Sequence, residues 1–351
     1  MQSIHRMELP RTVIIGQDAI RTLGKEVRGV GDRQALVVTS ETPLKLAGSS
    51  IRESLEEEGI KYEILKVGKS QTMENVQLIV DSLKSSDTKL VVAVGGGRVI
   101  DLAKMAVSKA GARFFSVPTT ASHDGICSPL VSFPSSNRRY SFYAATPTEI
   151  VADTKIIASS PYRLTASGCG DIMAKLTAVR DWRLSHLLRG EYYGEYAATL
   201  AETSVSRIVE NSELIRTGSE AGVRVVVEAL IHCGIIISVA GSSRPCSGSE
   251  HLFSHALDVI CEKPALHGEQ VGVGTIMMAY LHGADWKLVR NTLAKVGAPT
   301  NCRELGIDKD TIVRALVMAH TIRPDRYTIL GEKGLSVEAA KNLVAVSGVA
   351  G

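Results

Sequence analysis

The sequence predicts an α/β domain built on a parallel sheet followed by an all-α domain, and three observations predict it. Short β-branched runs alternate with amphipathic segments through the first part of the chain, the pattern of strands joined by helical crossovers. Those runs are continuously apolar, so the sheet they form is covered on both faces. From Ser159 onward the texture changes to long segments with apolar residues three and four apart, and strand-like alternation largely disappears. The chain therefore divides into residues 1–157 and 158–351, with Ser159, Ser160 and Pro161 forming a helix-start signal at the boundary. A length of 351 residues is also more than one hydrophobic core usually serves.

Taken in order, ALVVTSE (Ala35 to Glu41) reads as a strand ending in a polar loop, and SIRESLEEEGI as a helix closed by Gly59. KYEILKVG is the next strand and NVQLIVDSLKS its helix; LVVAVGGG and RVIDLAKMAVSKAG repeat the unit. RFFSVPTTAS is a fourth strand broken by Pro118, and IVADTKIIA, from Ile150, is the last. Beyond the boundary, YGEYAATLAETSVSRIVENSELI and AGVRVVVEALIHCGIIISVAG carry helical periodicity. The most apolar stretch, EALIHCGIIISVAG, contains His232, falls short of the roughly 18–20 residues that span a bilayer, and reads as a buried helix.

The composition, 44% apolar and 22% charged, is that of an ordinary globular enzyme. A net charge of +3 without a dense Lys/Arg block argues against a nucleic-acid partner, so any anionic ligand is small and held in a pocket. The six cysteines are scattered with no C-x-x-C pair, as free thiols in a reducing cytosol would be. The N-terminus lacks a charged head followed by a long apolar stretch, so a cytoplasmic protein without membrane insertion is expected. Apolar helical faces lead us to expect a homo-oligomer.

Gly95, Gly96 and Gly97 follow an apolar strand and open a helix. Such a trio permits positive φ and lets main-chain N–H groups approach a phosphate without interference from a Cβ. The spacing G-G-G-x-x-x-D is not the ordinary dinucleotide fingerprint, and a tight strand-to-helix turn would use the same glycines. In PTTASHDG, Thr119, Thr120 and Ser122 gather hydroxyls beyond a strand end, suited to phosphate, ribose or an amide, or to a hydrogen-bonded turn. The strand ending VVTSE carries Thr39, Ser40 and Glu41 at its tip and no Asp, which leaves NADP open beside NAD.

Asp171 in GCGDIMAKLTAVRDW, His251 in GSEHLFSHALD and His267 in ALHGEQVGVG make a carboxylate and two imidazoles, a set that leaves a divalent metal an open position for Lewis-acid chemistry. His251 and His255 are four apart and share a helix face, so spacing alone would offer both to a metal. Asp171, which follows Gly168 and Gly170, is equally placed to cap a helix. Asp124, after His123, is a turn former or an acceptor for a substrate hydroxyl. Lys175, one turn after Asp171, is a candidate for a substrate phosphate or an ordinary solvent-facing lysine. Asp181, Arg180 and Arg183 read as a solvated or interdomain charged face.

GGGRVIDLAK, FSVPTTASHDGICSPLVSF, ASGCGDIMAKLTAVRDW, GSEHLFSHALD and HGEQVGVGTIMM, in this order, resemble the iron-dependent alcohol dehydrogenase and dehydroquinate synthase superfamily, and within it the archaeal glycerol-1-phosphate dehydrogenase family. The resemblance implies a dehydroquinate synthase-like fold, with a dinucleotide-binding α/β domain joined to a helical metal- and substrate-binding domain. It further implies one Zn²⁺ held by Asp171, His251 and His267, substrate contacts from Asp124, Asp171 and His255, and NAD(H) or NADP(H) contacts from Gly97, Arg98, Val99, Ile100, Asp101, Thr119, Thr120, Ala121, Ser122 and Ser128. The implied reaction is reversible reduction of dihydroxyacetone phosphate to sn-glycerol 1-phosphate, the backbone of archaeal ether phospholipids. His255, as an imidazole near its ordinary pKa, is the expected proton donor, with relay through water as the alternative. A polyol dehydrogenase on unphosphorylated glycerol, or a dehydroquinate synthase-like lyase, would share the same motifs.

Overall fold

The computed structural model describes residues 5–135 and 138–351. Six parallel strands form one sheet: β1 (Thr12–Gly16), β2 (Gln34–Thr39), β3 (Lys61–Lys66), β4 (Leu90–Gly95), β5 (Arg113–Pro118) and β8 (Glu149–Asp153), in the order β1-β8-β5-β4-β2-β3. Alternate residues of the central strands serve different cores. Leu36, Val38, Val91 and Ala93 pack with the helices Met73–Ser85 and Gly97–Ala110, while Ala35, Val37, Val92 and Val94 pack on the other face with Leu23, Val27, Ile51 and Leu55. Burial on both faces explains the unbroken apolar runs. Only β3, at the sheet edge, alternates in exposure.

Several boundaries differ from the sequence reading. The helix after β2 begins at Glu41, so the polar stretch read as a loop is its first turn, where Pro43 is tolerated because its missing N–H would have no partner. TKIIA is a short helix (Thr154–Ala158) rather than the end of β8; Asp153 caps it, accepting from Lys155 N and Ile156 N at 3.1 Å each. Among the elements with no counterpart in the sequence reading are β1, an edge strand paired with β8, the helix Leu23–Gly29, and a separate antiparallel hairpin of β6 (Leu130–Ser135) and β7 (Arg138–Tyr143).

After Asp153 the described residues form helices and no strand. The apolar stretch around His232 lies in a helix of 21 residues, Glu220–Ala240, long enough by itself to cross a membrane, contrary to the shorter length read from sequence. Burial of 67% of its apolar window among the neighbouring helices accounts for its composition. At the sheet's carboxyl edge, Thr39 Oγ1 donates to Val94 O at 2.9 Å, tying the tips of β2 and β4 at the point where the strand order reverses. Ligands of open α/β sheets bind at such a point.

Candidate active site

Beyond the tip of β4, Gly96 has extended backbone and Gly97 opens the helix Gly97–Ala110. None of the three glycines has positive φ, so the expectation of left-handed backbone there does not hold. Their reason is close approach. A Cβ on Gly97 would lie 1.8 Å from His123 Nε2, and one on Gly96 would lie 3.1 Å from Thr120 Oγ1. The helix N-terminus and the second loop are thereby pressed together around a cavity of about 380 Å³ lined by Ser40, Gly96, Gly97, Arg98, Thr120 and Ser122. Free N–H groups and the positive end of the helix dipole suit this cavity to an anion.

The other predicted nucleotide residues divide by depth. Thr119 and Ala121 are buried, Ile100 and Val99 belong to the core, and contact from Ile100 could come only from its main chain. Asp101 is buried, its Oδ1 3.7 Å from Lys104 Nζ. Lys104, fully buried, donates to Gly125 O at 2.6 Å and Leu130 O at 2.8 Å, so it fixes the loop that carries His123, Asp124 and Ser128.

A second cavity of about 500 Å³ shares Gly97, Arg98, His123, Leu266 and His267 with the first and extends to Asp124, Ser128, His251 and His255. At its floor the ligand atoms of Asp171, His251 and His267 all lie within 4.8 Å of one another. Asp171 lies inside the helix Tyr162–Met173, so it is not a helix cap. Gly170 and Gly268 explain how this helix meets the helix His267–Leu281. A Cβ on Gly170 would fall 2.1 Å from Gly268 O, and one on Gly268 would fall 1.9 Å from Ser167 O. Only paired glycines allow that crossing, and it sets Asp171 opposite His267.

Each imidazole of the trio is oriented from behind. Glu250 Oε1 lies 2.8 Å from His251 Nδ1, while the same carboxylate accepts from Gly248 N at 2.6 Å and Thr177 Oγ1 at 2.7 Å. Ser254 Oγ lies 3.4 Å from His267 Nδ1. Both rings therefore turn Nε2 toward the cavity, the arrangement in which a carboxylate or hydroxyl behind a histidine strengthens it as a metal ligand. Burial and the neighbouring His251 push His267 down to about 3, which keeps it in the neutral, ligating form. Burial opposes ionisation of Asp171, but Lys175 and the two imidazoles hold its carboxyl well below the usual range. Tetrahedral zinc, with ligands at about 2.0–2.2 Å, needs donor atoms about 3.4 Å apart; His251 Nε2 and Asp171 Oδ1 are 3.6 Å apart. The donor set fits a divalent cation.

His255 is on the same helix face as His251 but lies outside the trio, its Nδ1 3.7 Å from Asp258. Burial lowers its pKa, so the expectation of an imidazole near its ordinary value does not hold. Lys175 is neither solvent-facing nor free for a phosphate. It is completely buried, with Nζ 2.7 Å from Asp171 Oδ1 and 3.0 Å from Asp124 Oδ2. Asp124 N also donates to Asp171 Oδ2 at 2.8 Å, so one buried lysine and one amide lock both candidate carboxylates together. Asp181, read as part of a charged face, is also fully buried. It accepts from Ser249 N at 2.7 Å, Ser249 Oγ at 2.6 Å and Ile329 N at 2.7 Å, anchoring the start of the helix that carries His251. Arg183 remains exposed.

Comparison with known proteins agrees with this geometry. Residues 14–161 match the family model of iron-containing alcohol dehydrogenases. The chain is 48% identical over 349 residues to a glycerol-1-phosphate dehydrogenase (NAD(P)+) of Thermococcus kodakarensis, covering 99% of each protein. It belongs to the glycerol-1-phosphate dehydrogenase family. A relative of that name from Methanothermobacter thermautotrophicus is 47% identical, covering 98% of this chain and 99% of the relative. Among solved structures, a glycerol dehydrogenase from Schizosaccharomyces pombe superposes with a TM-score of 0.83 at 20% identity, covering 98% of this chain and 90% of that one. At that identity the likeness concerns the fold: a parallel-sheet α/β region followed by helices.

Proposed function

We propose that this chain catalyses the reversible, NAD(P)H-dependent reduction of dihydroxyacetone phosphate to sn-glycerol 1-phosphate, with Zn²⁺ held by Asp171, His251 and His267. The supporting observation is that this trio opens into a cavity sharing its wall with the glycine-built anion site, in a chain of this family. When bound, the cation supplies Lewis-acid polarisation of the substrate oxygens and the nicotinamide dinucleotide supplies the hydride. The dinucleotide is assigned to Gly95, Gly96, Gly97, Arg98, Val99, Ile100 and Asp101, to Thr119, Thr120, Ala121 and Ser122, and to Ser128. The division of labour follows residues 1–157 and 158–351.

In this reading Asp124 and Asp171 orient the substrate's hydroxyl and carbonyl ends, and Lys175, lying between them, holds both in place and keeps Asp171 ionised. Glu250 and Ser254 fix the imidazole rings so that no reorganisation is needed as charge develops. His255 passes a proton between water and the product oxygen; being held neutral, it works as a relay. The test is an absorbance assay of the zinc-loaded protein with dihydroxyacetone phosphate, NADH and NADPH in parallel, with the product enantiomer determined. Oxidation of cofactor with formation of the sn-1 product is the expected result. No net cofactor oxidation, or preference for unphosphorylated dihydroxyacetone, refutes the reading.

A further inference from the structure

The larger cavity has a wall that the reaction described so far leaves unused. Arg323, Ser243 and Ser247 line it, on the side away from the glycine turn. The hydrogen bond of Arg323 is to a main-chain oxygen, Ser141 O, at 3.3 Å, and among the described residues no carboxylate lies within ion-pair distance of its guanidinium. Behind it Arg326 donates to Ser247 O at 2.5 Å and to Ser243 Oγ at 2.7 Å, and it too makes no ion pair among the described residues. Arg244, close by, differs: its Nε lies 2.7 Å from Glu191 Oε1 and its charge is balanced.

A half-buried guanidinium that lines a cavity without an ion-pair partner, with a second one braced behind it, becomes favourable when a bound anion supplies the missing charge. Burial, with repulsion from Arg323 and Arg244, pushes Arg326 down to about 9. Because Ser243 Oγ accepts from Arg326, its own proton is free to donate into the cavity. The other cavity cations sit elsewhere. Arg98 also lines the nucleotide cavity and donates to Gly68 O, and Lys69 is exposed beside it. Of the carboxylates that line this cavity, Asp258 is directed at His255 and at Gln270 Nε2, 3.0 Å away, and Asp124 at Lys175 Nζ, 3.0 Å away. Arg323 and His255 line the same cavity, which opens Arg323 to the proposed substrate position.

We propose that Arg323, the hydroxyls of Ser243 and Ser247, and Arg326 bracing both serines form the subsite for the phosphate monoester of the three-carbon substrate. The guanidinium fork matches the oxygens of a phosphate dianion, so this wall selects phosphorylated over unphosphorylated substrate. The assignment rests on the proposed reaction for the identity of the ligand, but its chemistry can be tested without turnover.

Calorimetric titration of the nucleotide-free protein with sn-glycerol 1-phosphate and with inorganic phosphate, in wild type, Arg323→Gln and Arg323→Lys, is the direct experiment. Loss of a charge-assisted hydrogen bond predicts about 30-fold weaker binding of sn-glycerol 1-phosphate in Arg323→Gln, with partial recovery in Arg323→Lys. In steady state, KM for dihydroxyacetone phosphate should rise in proportion, while turnover of unphosphorylated dihydroxyacetone changes less than about threefold. Should Arg323→Gln fail to fold, Ser247→Ala carries the test, with about fivefold weaker binding expected. Equal affinity in wild type and variants, or parallel loss on both substrates, overturns the subsite. If wild type does not turn over dihydroxyacetone phosphate yet binds inorganic phosphate in an Arg323-dependent way, the reaction falls and the subsite stands.

Discussion

The proposed nucleotide end of the cleft is made of main chain, whereas the proposed metal end is made of buried charge. At the first, glycines remove side chains so that amides and a helix terminus can face the ligand. At the second, Asp171, Glu250 and Lys175 are all buried and each is held by at least one polar partner. The two ends therefore fail differently. A backbone site is damaged by adding a methyl group, and a charged site by removing a partner, which leaves an uncompensated charge costing about 3–5 kcal/mol.

The sharpest way to break this contrast is His251→Ala. It should abolish bound zinc, measured by metal analysis, and lower turnover about 10³-fold or more, while NADH binding followed by fluorescence is retained. Retained zinc with near-normal rate would refute the ligand assignment. His255→Ala, on the same helix face, should keep the metal and lower kcat about 10²-fold; loss of metal there would place His255 among the ligands. Gly97→Ala is the converse experiment. Its methyl group meets His123, so NADH affinity should fall about tenfold with zinc stoichiometry unchanged.

The smallest expected effect compares buried carboxylates. Asp171 is lowered by its partners, but burial and the neighbouring Glu26 push Glu149, at the start of β8, up to about 7. An acid raised in the folded state leaves stability intact below its unfolded value of 4.5 and removes it as pH rises from there to about 7. Glu149→Gln should therefore melt about 2 °C above wild type at pH 8 and match it near pH 4.5 by scanning calorimetry. An equal difference at both pH values would mean that packing, not titration, is responsible.

Much of this was legible because the informative residues are of unusual type. A glycine trio after an apolar strand, an aspartate and a histidine set beside glycines, and a second histidine in HLFSH stand out against any background. What escaped was the orientation of ordinary residues. Spacing places Lys175 on the face of Asp171 but does not say whether that face is covered, so its role between two carboxylates could not be read. Asp181 looked like its exposed neighbour Arg183, and only the long-range approach of Ser249 and Ile329 reveals it as a buried anchor. β1 carries too few residues for periodicity to register, and its pairing with β8 joins segments far apart in sequence. The cations of the substrate wall lie in a stretch, TIRPDRYTIL, with no strong pattern of its own.

The contact of Gly170 with Gly268 has a reach beyond packing. Two peptide planes in van der Waals touch act as a mechanical stop, so the span from Asp171 to His267 is gauged by the thickness of the backbone itself. Loops and surface residues can drift over evolutionary time without altering that gauge. A chain that keeps these two glycines hands down the spacing of a ligand pair intact, and a chain that replaces either must rebuild it.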